Sequence, residues 1–199
     1  MKIIQQSAEL MTVFPENEIL EKLELYGRTC YQSEHRIGKN TAGKFVKSIM
    51  KNNHLSVLEH ISLTFRFITD RGVTHELVRH RLASYSQEST RYVKYTDLEV
   101  IEPVGMDESE LNVWQYYMSY AEGNYRAMIN YGLKPEQART VLPHSAKTEI
   151  VMTANLREWL HIIKLRTSKA AHPQIRDLIG KAQEILSYNY PTIFGNTND

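Results

Sequence analysis

Ile61-Ser62-Leu63-Thr64-Phe65-Arg66-Phe67 alternates large apolar side chains with polar ones, residue by residue. That period of two marks a strand with one face buried and one face open, the pattern of an antiparallel sheet covered on a single side. Thr148 to Thr153 reads as a second strand, and Lys2 to Val13 as a third. Helical spacing fills the intervals. Asn17 stands as a cap for a helix over 18–31, whose apolar side is Ile19, Leu20, Leu23 and Leu25. Gly27 weakens that helix near its end. Thr41 stands as the cap of a helix carrying Phe45, Val46 and Ile49. Asp70 caps a helix over 71–81. Met106 to Met128 carries Trp114, Tyr117, Met118, Ala121 and Tyr125 at intervals of three and four, and Gly132 is placed to stop it. Pro135 to Val141 is a short helix. Asn155 opens a helix through Leu165, and Pro173 begins one through Leu186. The segments 84–95 and 187–199 read as polar or irregular. Strands and helices alternate without regular crossover units, which predicts an α+β fold with a mainly antiparallel central sheet flanked by helices, in one domain over 1–199.

The composition narrows the function. Twenty-four basic and 23 acidic side chains leave a net charge of +1, too little surplus to wrap nucleic acid. No apolar run approaches the roughly 18 residues of a membrane span, and the first ten residues do not read as a signal peptide. A cytoplasmic protein is the expectation. Cys30 is the only cysteine, so no intrachain disulfide and no cysteine-rich metal site can form. It is read as a buried helix residue.

The chemistry concentrates between Arg79 and Arg91. Arg79-His80-Arg81-Leu82-Ala83-Ser84-Tyr85-Ser86-Gln87-Glu88-Ser89-Thr90-Arg91 packs three arginines, a histidine and several hydroxyls into thirteen residues. Guanidinium forks match phosphate oxygens through paired hydrogen bonds, and hydroxyls and backbone N–H groups add donors. A phosphate pocket accounts for this clustering. A solvated basic face, or an ion-pair network with Glu76 and Glu88, would use the same residues, and so would a nucleic-acid-binding module. His75-Glu76-Leu77-Val78-Arg79-His80 approximates a zinc-hydrolase helix, but its histidines are five apart rather than four, and Arg79 stands where the second ligand belongs. No metal site is expected there.

Arg79 to Arg91 also matches in full the pattern RHRxxSxxxxSxR, and on it the chain resembles the flavin-dependent thymidylate synthases. The resemblance extends through Arg28-Thr29-Cys30-Tyr31, through His54 to His60, and through Ala138-Arg139, Leu142-Pro143, Thr148, Thr153, Asn155, Arg157 and Arg166. It implies a homotetramer whose sites are shared between subunits. It further implies FAD as cofactor, dUMP as substrate, 5,10-methylenetetrahydrofolate as carbon donor and NADPH as the source of electrons, without an enzyme cysteine as nucleophile. Carried over by position, Ser56, His60, Arg79, His80, Arg81, Glu88, Asn155, Arg157 and His161 would contact FAD. Glu76, Arg79, Glu88, Ser89, Arg91, Arg139 and Arg166 would line the dUMP pocket. Arg166, at the uracil carbonyl edge, would be the catalytic group. The chain departs from the pattern at Glu76, where many members have glutamine, at His161, where some have asparagine, and at Ala171-His172-Pro173-Gln174-Ile175.

Overall fold

The alternation in the central stretch has a physical outcome. Leu63, Phe65 and Phe67 are fully buried, while Thr64 and Arg66 lie on the opposite, open face. Their strand, β3 (Ser62–Asp70), pairs antiparallel along its whole length with β6 (Lys147–Asn155), from Ser62 opposite Asn155 to Asp70 opposite Lys147. β2 (Ser7–Leu10) and β4 (Ala83–Gln87) complete a four-stranded antiparallel sheet in the order β2-β3-β6-β4. β1 (Lys2–Ile4) and β5 (Glu99–Ile101) form a separate two-stranded parallel sheet. This computed structural model describes residues 1–195.

Eight α-helices surround the sheets among the described residues: α1 (Glu16–Thr29), α2 (Ala42–Lys51), α3 (Arg71–Leu77), α4 (Glu108–Asn130), α5 (Pro135–Ala138), α6 (Leu156–Arg166), α7 (Pro173–Asn189) and α8 (Pro191–Phe194). The core lies between the buried sheet face and α1, α6 and α7. Trp159 of α6 sits at its centre, 5.0 Å from the Phe65 ring, with its indole N–H donating to the Leu63 carbonyl at 3.1 Å. The polar handle is thus satisfied and the ring fully buried, a combination whose loss to alanine typically costs about 3–5 kcal/mol.

The two central strands each end in the cap of a helix. Asp70 accepts from the Val73 N–H at 2.7 Å and opens α3; Asn155 accepts from the Glu158 N–H at 2.8 Å and opens α6. Because β3 and β6 run antiparallel, the two helices start at opposite ends of the sheet and run back along it. Their C-terminal ends converge, and that convergence positions the site.

Several expectations need correction. The helix after Asp70 stops at Leu77 rather than Arg81. The Tyr85 hydroxyl reaches the Leu77 and His80 carbonyls at 2.7 and 2.8 Å, and tight turns close the chain at Arg79 and His80. Arg79, His80 and Arg81 therefore occupy a turn, and the segment read as polar begins with a strand whose Ala83, Tyr85 and Gln87 point inward. The single strand expected over 2–13 is two strands in different sheets. They break at Gln6, whose buried amide bonds the Gln174 carbonyl, Asp177 and Thr69. α1 starts a residue before Asn17, behind Pro15, and its Leu25 is exposed. Gly27 is needed there: a Cβ would lie 2.7 Å from the Phe45 ring. Thr41 does not cap α2 with its side chain; its hydroxyl bonds Glu24 and Gly38 instead. On α4, Tyr117 is exposed rather than packed, although Gly132 does stop the helix with a left-handed backbone (φ +101°). The tail is ordered into the end of α7 and into α8, which buries Ile193 and Phe194; residues 196–199 lie outside the described region. Cys30 is exposed, because it falls on the C-cap of α1 rather than within its packed face.

Candidate active site

Where α3 and α6 converge, Arg166 closes a polar cluster. Its Nε–H donates to His80 Nε2 at 3.0 Å, its Nη1 to the Glu76 carboxylate at 2.7 Å, and its Nη2 to the Glu76 carbonyl at 3.1 Å. His80 comes from the turn after α3 and is only 5% exposed. Since its Nε2 accepts from Arg166, its ring proton sits on Nδ1, which faces the Glu158 carboxylate at 3.4 Å. Burial, with the Arg166 charge second and His161 third, pushes the His80 pKa down to about 4. The ring is therefore neutral at pH 7. Burial also raises the pKa of Glu158, partly opposed by His161. His161, one turn along α6 from Arg157, places its ring edge-on to His80 at 6.0 Å.

The ligand atoms of His80, Glu158 and His161 lie within 4.8 Å of one another. His80 has no nitrogen free for an ion in this arrangement, since one faces Arg166 and the other Glu158, and a second cation would sit beside a guanidinium. His75 and His80, the pair that imitates a zinc helix, are not together: His75 packs edge-on against His144 at 5.6 Å.

The rest of the signature behaves differently. Arg79 and Arg81 are exposed, and neither side chain has a hydrogen bond or ion pair among the described residues. Glu88 is clamped: Tyr95 donates to one carboxylate oxygen at 2.7 Å, Lys147 to the other at 3.2 Å, and Arg71 to its carbonyl at 3.0 Å. Burial, then the Glu88 carboxylate, pushes the Tyr95 pKa up to about 12, so its hydroxyl stays a donor. Beyond the clamp, the Ser89 hydroxyl accepts from the Arg91 N–H, and the exposed Arg91 guanidinium lies over the Tyr92 ring, 5.5 Å from its centre. Arg139 donates to the buried Thr90 hydroxyl at 3.2 Å.

A third group of the expected residues lies apart. Ser56 and Arg157 line a cavity of about 380 Å³ together with Cys30, Tyr31, Phe45 and His54. His60, at the end of the 3₁₀ turn Leu55–His60, lies 5.2 Å from the Tyr26 ring. Arg157 pairs with Glu59 at the surface, where such a pair contributes little. Asn155 spends its side-chain oxygen on the α6 cap, leaving its amide N–H groups for other partners.

Glu158, Tyr85, Arg71, Lys147 and Tyr95 were not singled out from the sequence. Arg71, directly after the capping Asp70, and Tyr85, inside the signature segment itself, carried a local sign. The others join the site through pairings such as Glu88 with Lys147, 59 residues apart.

Comparison with known proteins gives one consistent result. The family model described as thymidylate synthase complementing protein matches residues 11–192. The flavin-dependent thymidylate synthase of Geobacter sulfurreducens is 36% identical over 181 residues, covering 85% of this chain and 78% of that protein. That of Mycobacterium tuberculosis is 36% identical over 195 residues, covering 87% and 78%. In structure, the chain superimposes on a UMP/dUMP methylase, PolB from Streptomyces cacaoi, solved with 5-Br dUMP. The TM-score is 0.85 at 20% identity, over 98% of this chain and 96% of that one, a likeness of fold.

Proposed function

The chain belongs to the flavin-dependent thymidylate synthase family, and on that premise we propose that it converts dUMP to dTMP with 5,10-methylenetetrahydrofolate as carbon donor, FAD as the bound cofactor and NADPH as its reductant. The observation that carries this reading is the pairing of a closed cluster, Glu76–Arg166–His80, with the unpaired guanidiniums of Arg79 and Arg81 beside it. Cations left without partners at a turn, next to a preorganised arginine, suit anionic ligands.

The donor set fits FAD. Ser56, Arg157 and Asn155 offer a hydroxyl, a guanidinium and an amide for the dinucleotide, with Arg79 and Arg81 for its phosphates and His60, His80 and His161 for ring edges. FAD supplies, once reduced, the electrons that turn the transferred methylene into a methyl group. The protein's part is positioning and charge. Arg91 and Arg139 hold the dUMP phosphate, with Ser89 adding a hydroxyl. Arg166 binds the uracil carbonyl edge. Three of its five N–H groups are engaged by His80 and Glu76, which leaves two, one on each terminal nitrogen, for the substrate. There it stabilises negative charge that develops on the ring. Glu76 holds the guanidinium in place, which answers how a carboxylate is tolerated near an anionic nucleotide. Glu88, clamped by Lys147 and Tyr95, fixes the turn that presents Ser89 and Arg91. In this reading Cys30 is no nucleophile: it lines the cavity of Ser56 and Arg157, which includes none of Glu76, His80 or Arg166, the groups assigned to the uracil side. The working form is a homotetramer with sites assembled from more than one subunit.

The test is direct. Purified protein with dUMP, 5,10-methylenetetrahydrofolate, NADPH and FAD yields dTMP together with tetrahydrofolate, and omission of FAD from stripped protein abolishes the product. A flavin-loaded protein that forms no dTMP would refute the reading.

A further inference from the structure

Helix α4 carries two apolar stripes, and its own chain covers only one. Trp114, Met118 and Tyr125 face inward, the first two against the small cluster of Leu98, Val100 and Ala146. The other stripe is Val113, Tyr117, Tyr120, Asn124, Ala127 and Tyr131, all exposed. Tyr117 is 61% exposed and Tyr120 57%. Intervals of four, three, four, three and four residues are those of a helix–helix seam. Tyr116 adds to it: its ring meets Tyr117 at 5.4 Å and Tyr120 at 5.0 Å, and its hydroxyl lies 3.1 Å from that of Tyr120. Rigid aromatic clusters of this kind, left bare, mark contact surfaces.

The seam is self-complementary. Its positions are symmetric about residue 122, so that an antiparallel copy sets Val113 opposite Tyr131, Tyr117 opposite Ala127 and Tyr120 opposite Asn124. Each pair then sets a larger side chain against a smaller one, Asn124 and Ala127 being the small members in the second half. Gly123, where an added Cβ would have nothing within 4 Å, widens that half. Charge agrees with the same register. Glu110, which closes the capping box by accepting from the Asp107 N–H, and Lys134, beyond the Gly132 stop, are equidistant in sequence from residue 122 and bring opposite charges to the two ends of the seam. The helix dipoles also oppose. We propose that this face of α4 docks against α4 of a second copy of the chain, antiparallel about a two-fold axis near residue 122. The inference specifies one contact of the tetramer proposed above and rests on no step of the flavin chemistry.

Light scattering on the full-length protein, with and without the paired substitutions Tyr117→Glu and Tyr120→Glu, tests it. The variant is expected to show half the wild-type mass at the same concentration, with an unchanged far-ultraviolet circular dichroism spectrum, because both positions are exposed in the single chain. A wild-type oligomer whose mass the variant keeps would overturn this contact and leave the tetramer standing; a monomeric wild type would overturn both. Cross-linking checks the register independently of folding losses. In a Cys30→Ser background, Tyr120→Cys combined with Asn124→Cys is expected to give covalent dimers on mild oxidation. A halved mass without those dimers would mean that some other surface covers the stripe, and would overturn the pairing of α4 with α4.

Discussion

Both ends of the signature segment carry exposed arginines, Arg79 and Arg81 at the first and Arg91 at the second, but their surroundings differ. At the first, His80 is buried and neutral, and Arg166 is fixed by three hydrogen bonds before any ligand arrives. At the second, Glu88 is fixed, but the Arg91 guanidinium that follows lies exposed over a tyrosine ring. The first end resembles a preorganised reaction centre, where orientation is settled in the folded state. The second resembles a phosphate-capturing arm, where a free cation on a rigid base gains its partner on binding. The difference predicts which substitutions change turnover, which change only affinity, and which change only stability.

The largest effect is expected at the closed end. Arg166→Ala should still fold and bind FAD, yet lose about 10²–10³-fold in turnover, the range for removing a donor from a developing negative charge. Its dUMP affinity should fall at least tenfold, about 1.4 kcal/mol. The rate of dTMP formation reads the first and titration of dUMP into the flavin-loaded variant the second, and lost FAD with unchanged dUMP affinity would assign the residue to the cofactor instead.

Next is the pH dependence of stability. The folded-state pKa of His80 lies below its ordinary value of 6.5, at about 4, so the unfolded chain takes up this proton first. The contribution is present above pH 6.5 and is lost as pH falls toward 4. A displacement of this size corresponds to at most about 3 kcal/mol. Glu158, whose pKa is raised by burial, works in the opposite sense. Melting temperatures between pH 7 and 4 should therefore fall less steeply in His80→Gln than in the wild type. Parallel curves would remove His80 from the account.

At the open end, Arg91→Ala should leave the melting temperature within the scatter of a surface change, about 0.5 kcal/mol. Its dUMP affinity should weaken about tenfold, with reduced dependence on salt. A large loss of stability would show that Arg91 is structural. The smallest effect belongs to Cys30→Ala. Because the thiol is exposed, stability should change by less than about 0.5 kcal/mol and dTMP formation should stay within about tenfold. Lost turnover in a flavin-loaded variant would reveal a catalytic thiol.

What the sequence disclosed follows the range of the forces involved. β3, β6 and the caps Asp70 and Asn155 were legible, because alternation and capping are local. The end of α3 was not, because a tyrosine eight residues on supplies the bond that stops it. Nor was the exposure of Cys30, which turns on one residue at a helix boundary. In the candidate site, the arginines stood out by density along the chain. Their partners did not: the bond of Arg166 to Glu76 spans 90 residues, and that of Lys147 to Glu88 spans 59. The bare stripe on α4 looked like an ordinary amphipathic helix, since periodicity alone does not tell which of two stripes is buried.

The sheet order has a consequence for how the chain acquires its structure. β3 and β4 never pair with each other; each is joined to β6, which follows β3 by 77 residues. On a growing chain, β3 has only the short β2 as a neighbour until the segment ending at Asn155 has been made, and β4 has none. Two strand edges stay open until β6 has been made, and the long-range pairing that closes them is intrinsically slow. Sheet closure is a late, single event, and substitutions in β6 should reduce the yield of refolded protein more than equally buried substitutions in α7.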